Sequence, residues 1–201
     1  TFINGFDTDN AIFFKTSKFT FVSNTPIITD LRDISEFKLV HILSGDTIRI
    51  YSVHLKASNT SPDEAQRALE VDTLRKYTNA LPIGSNFIVC GDFNFYRSSE
   101  SAYQKLLAVT PGVDGHFIDP ITMTGTWNNI AYSSYHTQSP RVRAFGGGST
   151  GGLNDRFDLV LFSNAMMQSG GVSYVSGSTF PLGNDGKHYN DSINQQPNTA
   201  V

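Results

Sequence analysis

The order strand, helix, strand along one continuous segment constrains the fold of this chain more than any other feature. TIRIYSVHL (47–55) and FIVC (87–90) are apolar and rich in β-branched residues, so both are predicted to be buried strands. Between them, SPDEAQRALEVDTLRKY (61–77) has the composition and boundary residues of a helix. A helix between two strands implies a crossover connection within one sheet. The sequence therefore predicts an α/β fold.

Local signals define the helices and the last strand. Ser61 can cap the first helix, Pro62 suits the first helical position, and Glu64 completes a capping box. SESAYQKLLAV (99–109) is predicted to be a second, shorter helix, and RFDLVLFS (156–163) a further buried strand.

The N-terminal part has the alternation of strands joined by turns. Residues 10–24 predict two strands with a turn at 16–18, and KLVHIL (38–43) predicts a hairpin with the strand that follows it. In that following strand the two-residue apolar period shifts at Tyr51 and Ser52, which predicts a β-bulge.

Composition narrows the class of protein. A chain of 201 residues suits one domain, and no run approaches the roughly 18 apolar residues of a membrane span. The net charge of -3 argues against nucleic-acid binding through a broadly basic surface.

The one cysteine, Cys90, excludes an intramolecular disulfide and is interpreted as a buried structural thiol. Residues 110–154, including FGGGSTGG (145–152), predict a long loop that is either functional or disordered.

Polar residues stand at the ends of three predicted strands. His54 closes the first strand of the crossover, Asp92 and Asn94 follow the second, and Asp158 lies in DRFDLVLFS. Ligands and chemistry gather at the carboxyl ends of strands in α/β folds. We therefore expect a functional site at this edge.

These motifs, in this order, resemble the endonuclease/exonuclease/phosphatase superfamily, which includes deoxyribonuclease I and sphingomyelinases. The resemblance rests on HL before the helix, GDFN after it and the later DRFDLVLFS, and it covers nearly the whole chain. TDLRDI (29–34), HTQSPR (136–141) and GGLNDRFD (151–158) are similar to a bacterial, often secreted branch. The resemblance implies a four-layered α/β sandwich, in which two packed mixed sheets are flanked by helices.

The resemblance also implies roles for the strand-end residues. Asp92 would position or deprotonate the attacking water, and Asn94 would contact the phosphate, both beside a divalent metal that they ligate. Mg²⁺ is the expected ion, with Mn²⁺ or Ca²⁺ as alternatives. His54 would contact the phosphate or act as a general acid, and Asp158 would orient a second histidine.

Further residues have two interpretations each. His136, Arg141 and Arg143 either bind substrate phosphates or are solvated loop residues. Asp158 is either a site residue or the partner of Arg156 in a structural ion pair.

The sequence also departs from the family pattern. It contains neither an upstream QE strand, whose glutamate is the principal metal ligand, nor a terminal SDH strand. We therefore expect 1–201 to be a single domain of this family that lacks the first strands and the last strand, is truncated at both ends, binds Mg²⁺ poorly and is inactive alone. Asp185 and His188 in NDGKH are interpreted as a loop preceding the missing strand.

The expected function is metal-dependent hydrolysis of phosphoester bonds, most simply by a nuclease-like phosphodiesterase outside the cytoplasm, extracellular or periplasmic. A sphingomyelinase or an inositol phosphatase would use the same chemistry, because loops determine the substrate in such a fold. From another class, a degenerate domain could keep the fold and serve in binding or structure. The full reading frame, with or without QE and SDH, would distinguish these.

Overall fold

The computed structural model describes residues 2–3, 10–139, 141–143 and 150–200. These residues contain eight strands: β1 (Phe2–Ile3), β2 (Asn10–Ala11), β3 (Phe19–Ile27), β4 (Ile34–His41), β5 (Thr47–His54), β6 (Asn86–Asp92), β7 (Phe117–Ile118) and β8 (Asp158–Ser163). Helix α1 (Ser61–Asn79) connects β5 to β6, and α2 (Ser101–Leu107) follows β6. Short 3₁₀ helices span Ile130–Tyr135 and Asn164–Met167.

Strands β3 to β8 form one six-stranded mixed sheet in the order β3-β4-β5-β6-β8-β7. β3, β4 and β5 are consecutive antiparallel neighbours, β5 and β6 are parallel, and β8 is antiparallel to β6. Helix α1 connects the parallel pair, so the predicted crossover is confirmed. The three predicted buried strands, 47–55, 87–90 and 156–163, are neighbours in this sheet.

The helices cover one face of the sheet. Ala68, Val71 and Leu74 lie along one side of α1, because residues three apart share a helix face, and all three are buried. They belong to a core with alternate residues of the central strands: Tyr51, Val53, Phe87, Val89, Leu159 and Leu161. Fully burying such a side chain stabilises the fold by about 1.5–3 kcal/mol, so this face is a major source of stability.

The other strand residues form the opposite face of the sheet, here called the open face. Ile48, Ile50, Ile88 and Val160 lie on it and pack in a second, smaller apolar cluster. An apolar groove of about 450 Å³ runs along this face between residues 11–15 and the strands. Both faces of the central strands are therefore apolar, which explains their continuous hydrophobic runs.

The predicted bulge at Tyr51 and Ser52 is wrong. The register of β5 with β4 runs without a break from Thr47 to Ser52. Because β5 has apolar neighbours on both faces, its apolar residues need no shift to be accommodated. The register shift near these strands lies instead in β3, between Phe21 and Ser23.

Both predicted helices are found within two residues of their predicted ends, but the cap of α1 is different. Thr60, rather than Ser61, is the N-cap, and its hydroxyl accepts a hydrogen bond from the Asp63 amide at 3.4 Å. The carboxylate of Glu64 forms no capping box, since it accepts hydrogen bonds of 2.7 and 2.6 Å from Arg97. Threonine and serine both favour the N-cap position, so the sequence alone does not decide which of the two neighbours caps the helix.

The predicted hairpin over 10–24 is half confirmed. The turn at 16–18 is present and β3 follows it, but β2 is two residues long and pairs with β1. The predicted loop over 110–154 contains β7 and a 3₁₀ helix. Within it, residues 140 and 144–149, and so most of FGGGSTGG, lie outside the described residues.

The predicted mixed α/β fold is confirmed. The second sheet and the second helical layer of a four-layered sandwich stay a prediction. No helix in the described ranges is both long and apolar enough to cross a membrane.

Candidate active site at the ends of three adjacent strands

Three polar side chains lie side by side across the centre of the sheet. His54 and Asp92 are the last residues of the parallel strands β5 and β6, and Asp158 is the first residue of the antiparallel β8. The sheet register pairs Asp92 with His54 on one side and with Asp158 on the other. His54 Nε2 lies 3.9 Å from Asp92 Oδ2. These three predicted site residues, here called the polar row, are therefore brought together.

Gly91 allows this close approach of β5 and β6. Its φ of +140° is rarely adopted by residues with a side chain, and an added Cβ would lie 1.9 Å from the Val53 carbonyl oxygen. The glycine that precedes Asp92 is thus required by the backbone.

The environment of Asp92 favours its neutral form in the absence of a cation. Burial raises the pKa of Asp92, and the nearby Asp158 carboxylate raises it further. A hydrogen bond from the Asn94 amide and the charges of His54 and Arg32 act in the opposite direction. Two carboxylates at facing strand ends therefore repel each other unless a positive charge lies between them.

The carboxylate oxygens of Asp92 and Asp158 suit a hard divalent cation. Mg²⁺ binds one or two protein carboxylates and completes its coordination with water and substrate phosphate oxygens. The repulsion between Asp92 and Asp158 is the kind that such an ion relieves. In the part of the chain that the structure describes, no three His, Cys, Asp or Glu side chains form a metal-binding group. The protein ligands present here are therefore few.

Asn94 is held by the main chain around it. It is 5% exposed and has a positive φ of 52°. Its backbone N–H donates to Asp92 Oδ1 at 2.9 Å, and its Nδ2 donates to the Leu55 carbonyl at 3.1 Å. The residue predicted to contact the phosphate thus already uses one amide hydrogen within the protein.

A cleft of about 410 Å³ opens beside the polar row. It is lined by Asp92, Asn94, Thr137, Gln138, Ser139, Arg141, Phe157 and Asp158. Of the residues predicted to bind substrate, the structure places Arg141 on this cleft. Sequence analysis did not identify Thr137, Gln138 and Ser139 as site residues. They belong to the HTQSPR motif, in which only the histidine and the arginine were predicted to bind substrate.

The other two predicted substrate-binding residues do not line the cleft. His136 is fully buried, and its Nε2 is 2.9 Å from the Trp127 carbonyl oxygen. Burial lowers the pKa of His136, which favours its neutral form. Arg143 is exposed beyond the cleft.

The alternative in which Asp158 pairs with Arg156 is wrong. Arg156 Nη1 and Nη2 donate to the two oxygens of Asp119 at 2.7 and 2.9 Å, and this pair is buried. Asp158 instead anchors its backbone N–H on the Thr137 hydroxyl at 2.9 Å. Among the described residues no histidine forms an ion pair with Asp158, so its predicted role toward a second histidine stays a prediction.

Asp185 and His188 lie apart from the cleft. His188 Nε2 is 3.3 Å from Asp185 Oδ1. The Asp185 carboxylate also accepts hydrogen bonds from the backbone N–H groups of Lys187 and Thr199, each at 3.0 Å. These contacts organise the loop itself.

The fold of this chain is found in known structures. The sequence matches no protein-family model and no curated protein. The structure matches the crystal structure of the endonuclease/exonuclease/phosphatase from Bacteroides vulgatus with a TM-score of 0.51 and 10% sequence identity. The match covers 75% of this chain and 57% of that chain. The chain has the endonuclease/exonuclease/phosphatase fold.

Other solved structures with this fold are similar at lower TM-scores. The human Nocturnin catalytic domain with bound sulfate anion matches at 0.44 and 19% identity, over 75% of this chain and 50% of that chain. D. rerio TDP2 complexed with single-strand DNA product matches at 0.48 and 13% identity, over 82% and 64%. The chain thus spans between 50% and 64% of the length of these structures. The resemblance inferred from the sequence motifs is confirmed as a likeness of fold.

Proposed function

We propose that the protein hydrolyses phosphoester bonds at the polar row with the help of a divalent cation, Mg²⁺. The observation that carries the proposal is the juxtaposition of His54, Asp92 and Asp158. Asp92 and Asp158 line a cleft together with Arg141. A phosphodiester is anionic and repels nucleophiles, so its hydrolysis needs positive charge and hydrogen-bond donors near the phosphoryl oxygens. The site supplies both hydrogen-bond donors and acceptors at the adjoining ends of three strands.

Each residue of the site has a proposed role. Asp92, with its raised pKa, orients the attacking water and accepts its proton. His54 donates a hydrogen bond to the phosphoryl oxygen on which charge develops. Arg141 binds a non-reacting phosphate oxygen. Asn94 retains a second amide hydrogen for such an oxygen, since only one is needed for Leu55.

Asp92 and Asp158 are the residues that would hold the ion, together with the carboxamide oxygen of Asn94. A bound divalent ion neutralises charge on the phosphoryl oxygens and lowers the pKa of its bound water. The mutual repulsion of the two carboxylates supports their assignment as ligands.

We further propose that the substrate is a phosphodiester of nucleic acid and that the protein acts outside the cytoplasm. The resemblance of the motifs to a bacterial, often secreted branch of the superfamily supports both. The net charge of -3 requires that nucleic acid be bound through local contacts in the cleft rather than through a basic surface. A phospholipid head group or an inositol phosphate would use the same polar row.

The test is hydrolysis of bis(p-nitrophenyl) phosphate and of DNA by the protein expressed from its complete reading frame. We expect Mg²⁺-dependent turnover that stops with EDTA. Asp92→Asn should lower kcat by ~10²–10⁴-fold, because it removes a proton acceptor without changing side-chain shape. Asp191→Asn, in a loop that does not line the cleft, is the control and should leave turnover unchanged. An equal loss in both variants, or full turnover in Asp92→Asn, would contradict the proposal.

A binding or structural role is the second candidate. It is favoured by the scarcity of metal ligands among the described residues. A complete protein without Mg²⁺-dependent turnover on any phosphoester, but with a cooperative unfolding transition, would support this alternative.

A further inference from the structure

The peptide groups that follow His54 are held from three sides. The Leu55 N–H donates to the Asp92 carbonyl at 2.9 Å. The Leu55 carbonyl accepts hydrogen bonds from Arg32 Nη1 at 3.0 Å and from Asn94 Nδ2 at 3.1 Å. We call these three hydrogen bonds the Leu55 clamp. They join the loop before β4, the end of β5 and the segment after β6 at one residue.

The loop that carries Arg32 is ordered by its own hydrogen bonds. The Thr29 hydroxyl donates to the Arg32 carbonyl at 2.8 Å and accepts from the Leu31 N–H at 3.3 Å. The Thr29 N–H donates to Asp33 Oδ1 at 3.3 Å. The guanidinium is therefore presented from a short, internally bonded turn rather than from a free loop.

The second donor is ordered as well. Asn94 is buried, has a left-handed backbone, and is tied to the Asp92 carboxylate by its own N–H. Because both donors have little freedom, the Leu55 carbonyl has a defined position between them.

His54 depends on that position. Its side chain is 39% exposed and, within the described residues, makes no hydrogen bond that would orient the imidazole. Its Nε2 lies near Asp92 Oδ2 at 3.9 Å. The main chain at the end of β5 sets the position of the His54 Cα and the direction of its Cα–Cβ bond, so a displacement of this main chain would carry the ring away from the polar row.

We propose that Arg32 is a positioning residue for phosphoester hydrolysis: through the Leu55 clamp it fixes the main chain beside His54 and thereby the approach of His54 to Asp92. This inference rests on the proposed function of the polar row.

The experiment compares Arg32→Gln, Arg32→Lys and a control in the complete protein. The control is Arg49→Gln, because Arg49 is a half-buried arginine of β5 that faces Glu36 at 3.6 Å, away from the cleft. Hydrogen exchange of the Leu55 amide reports on the clamp and needs no catalysis. Steady-state kinetics with bis(p-nitrophenyl) phosphate separates kcat from KM.

We expect Arg32→Gln to speed exchange of the Leu55 amide by about tenfold or more and to lower kcat by ~10–100-fold with little change in KM, as misplacement of a catalytic group does. Arg32→Lys, which keeps a charged donor, should recover part of both losses. Arg49→Gln should change neither quantity.

Unchanged Leu55 exchange in Arg32→Gln would overturn the clamp. Faster exchange with unchanged kcat would overturn the positioning role, and an effect confined to KM would make Arg32 a substrate-binding residue instead. If the unsubstituted protein hydrolyses no phosphoester, the proposed function fails, while the exchange rate of Leu55 still decides whether the clamp exists.

Discussion

Gly91 determines how closely β5 and β6 can approach beneath the polar row. Replacement by alanine would place a Cβ against the Val53 carbonyl in a strained backbone conformation. We expect Gly91→Ala to lower the free energy of unfolding by about 3 kcal/mol or more, the range of severe steric changes.

Gly84→Ala is the matched control for Gly91→Ala. Gly84 also has a positive φ, +82°, but nothing lies within 4 Å of an added Cβ. It should cost only the backbone strain, about 1 kcal/mol. Urea unfolding of both variants measures the difference, and equal costs would show that β5 and β6 can separate without penalty.

Asp155 gives the fold a pH dependence that is separate from the polar row. The residue is 5% exposed, Asn128 donates to its Oδ2 at 3.3 Å, and burial raises the pKa of Asp155 to about 7. The folded protein therefore holds a proton that the unfolded chain releases above about pH 4. This contribution to stability is complete below about pH 4, is lost progressively as the pH rises, and is gone above a pH of about 7.

Asp155→Asn should remove that dependence. Between pH 5 and pH 8 the free energy of unfolding of the unsubstituted protein should fall by on the order of 2–4 kcal/mol more than that of the variant. Urea unfolding at the two pH values provides both slopes. Parallel slopes would mean that Asp155 ionises in the folded protein as it does in water.

Single residues were predictable where they interrupt an apolar run. His54, Asp92 and Asp158 stand out because each ends or begins a buried strand, and the register of the sheet then places them together. His136 could not be placed correctly, because a loop has no period that tells a buried histidine from a cleft residue. Arg32 was missed as an individual residue for the same reason.

At the scale of elements, a buried ion pair joins α1 to the start of α2. Arg67 Nε donates to Glu100 Oε1 at 2.6 Å, and both side chains are fully buried. Glu100→Gln leaves the guanidinium charge without its partner. We expect a loss of about 3–5 kcal/mol in the free energy of unfolding.

Asp72→Asn is the control for Glu100→Gln, because Asp72 pairs with Lys105 at side-chain exposures of 42% and 39%. Such an exposed pair contributes at most about 1 kcal/mol. Thermal or urea unfolding decides the matter, and similar losses in the two variants would show that water reaches the buried pair.

Elements with a strong period were predicted well, and those set by tertiary contacts were not. The crossover from β5 through α1 to β6 follows from apolar runs and helix-boundary signals that lie within a few residues. The partner of β2 could not be inferred, since a two-residue strand carries almost no pattern. The bulge predicted in β5 was wrong because the sequence alone does not show that both faces are covered.

At the scale of the whole molecule, the polar row and the apolar open face belong to the same side of the sheet. Along β5, β6 and β8, side chains alternate between the faces, so Ile50 and Ile88 lie on the side where the row begins. The helices lie on the other side and leave the row accessible from the open face. This arrangement makes the strand ends, rather than the helices, the place where an ion and a phosphate would be bound.

Binding of a divalent cation at the polar row can be observed with Mn²⁺, because its unpaired electrons broaden the NMR signals of nearby nuclei. In ¹⁵N-labelled protein, substoichiometric Mn²⁺ should first broaden the amides of His54, Asp92 to Asn94 and Asp158. Excess Mg²⁺ should reverse the effect, and Asp92→Asn should abolish it. Broadening centred elsewhere, such as around Asp185 and His188, or broadening that persists unchanged in Asp92→Asn, would show that the polar row does not bind the ion.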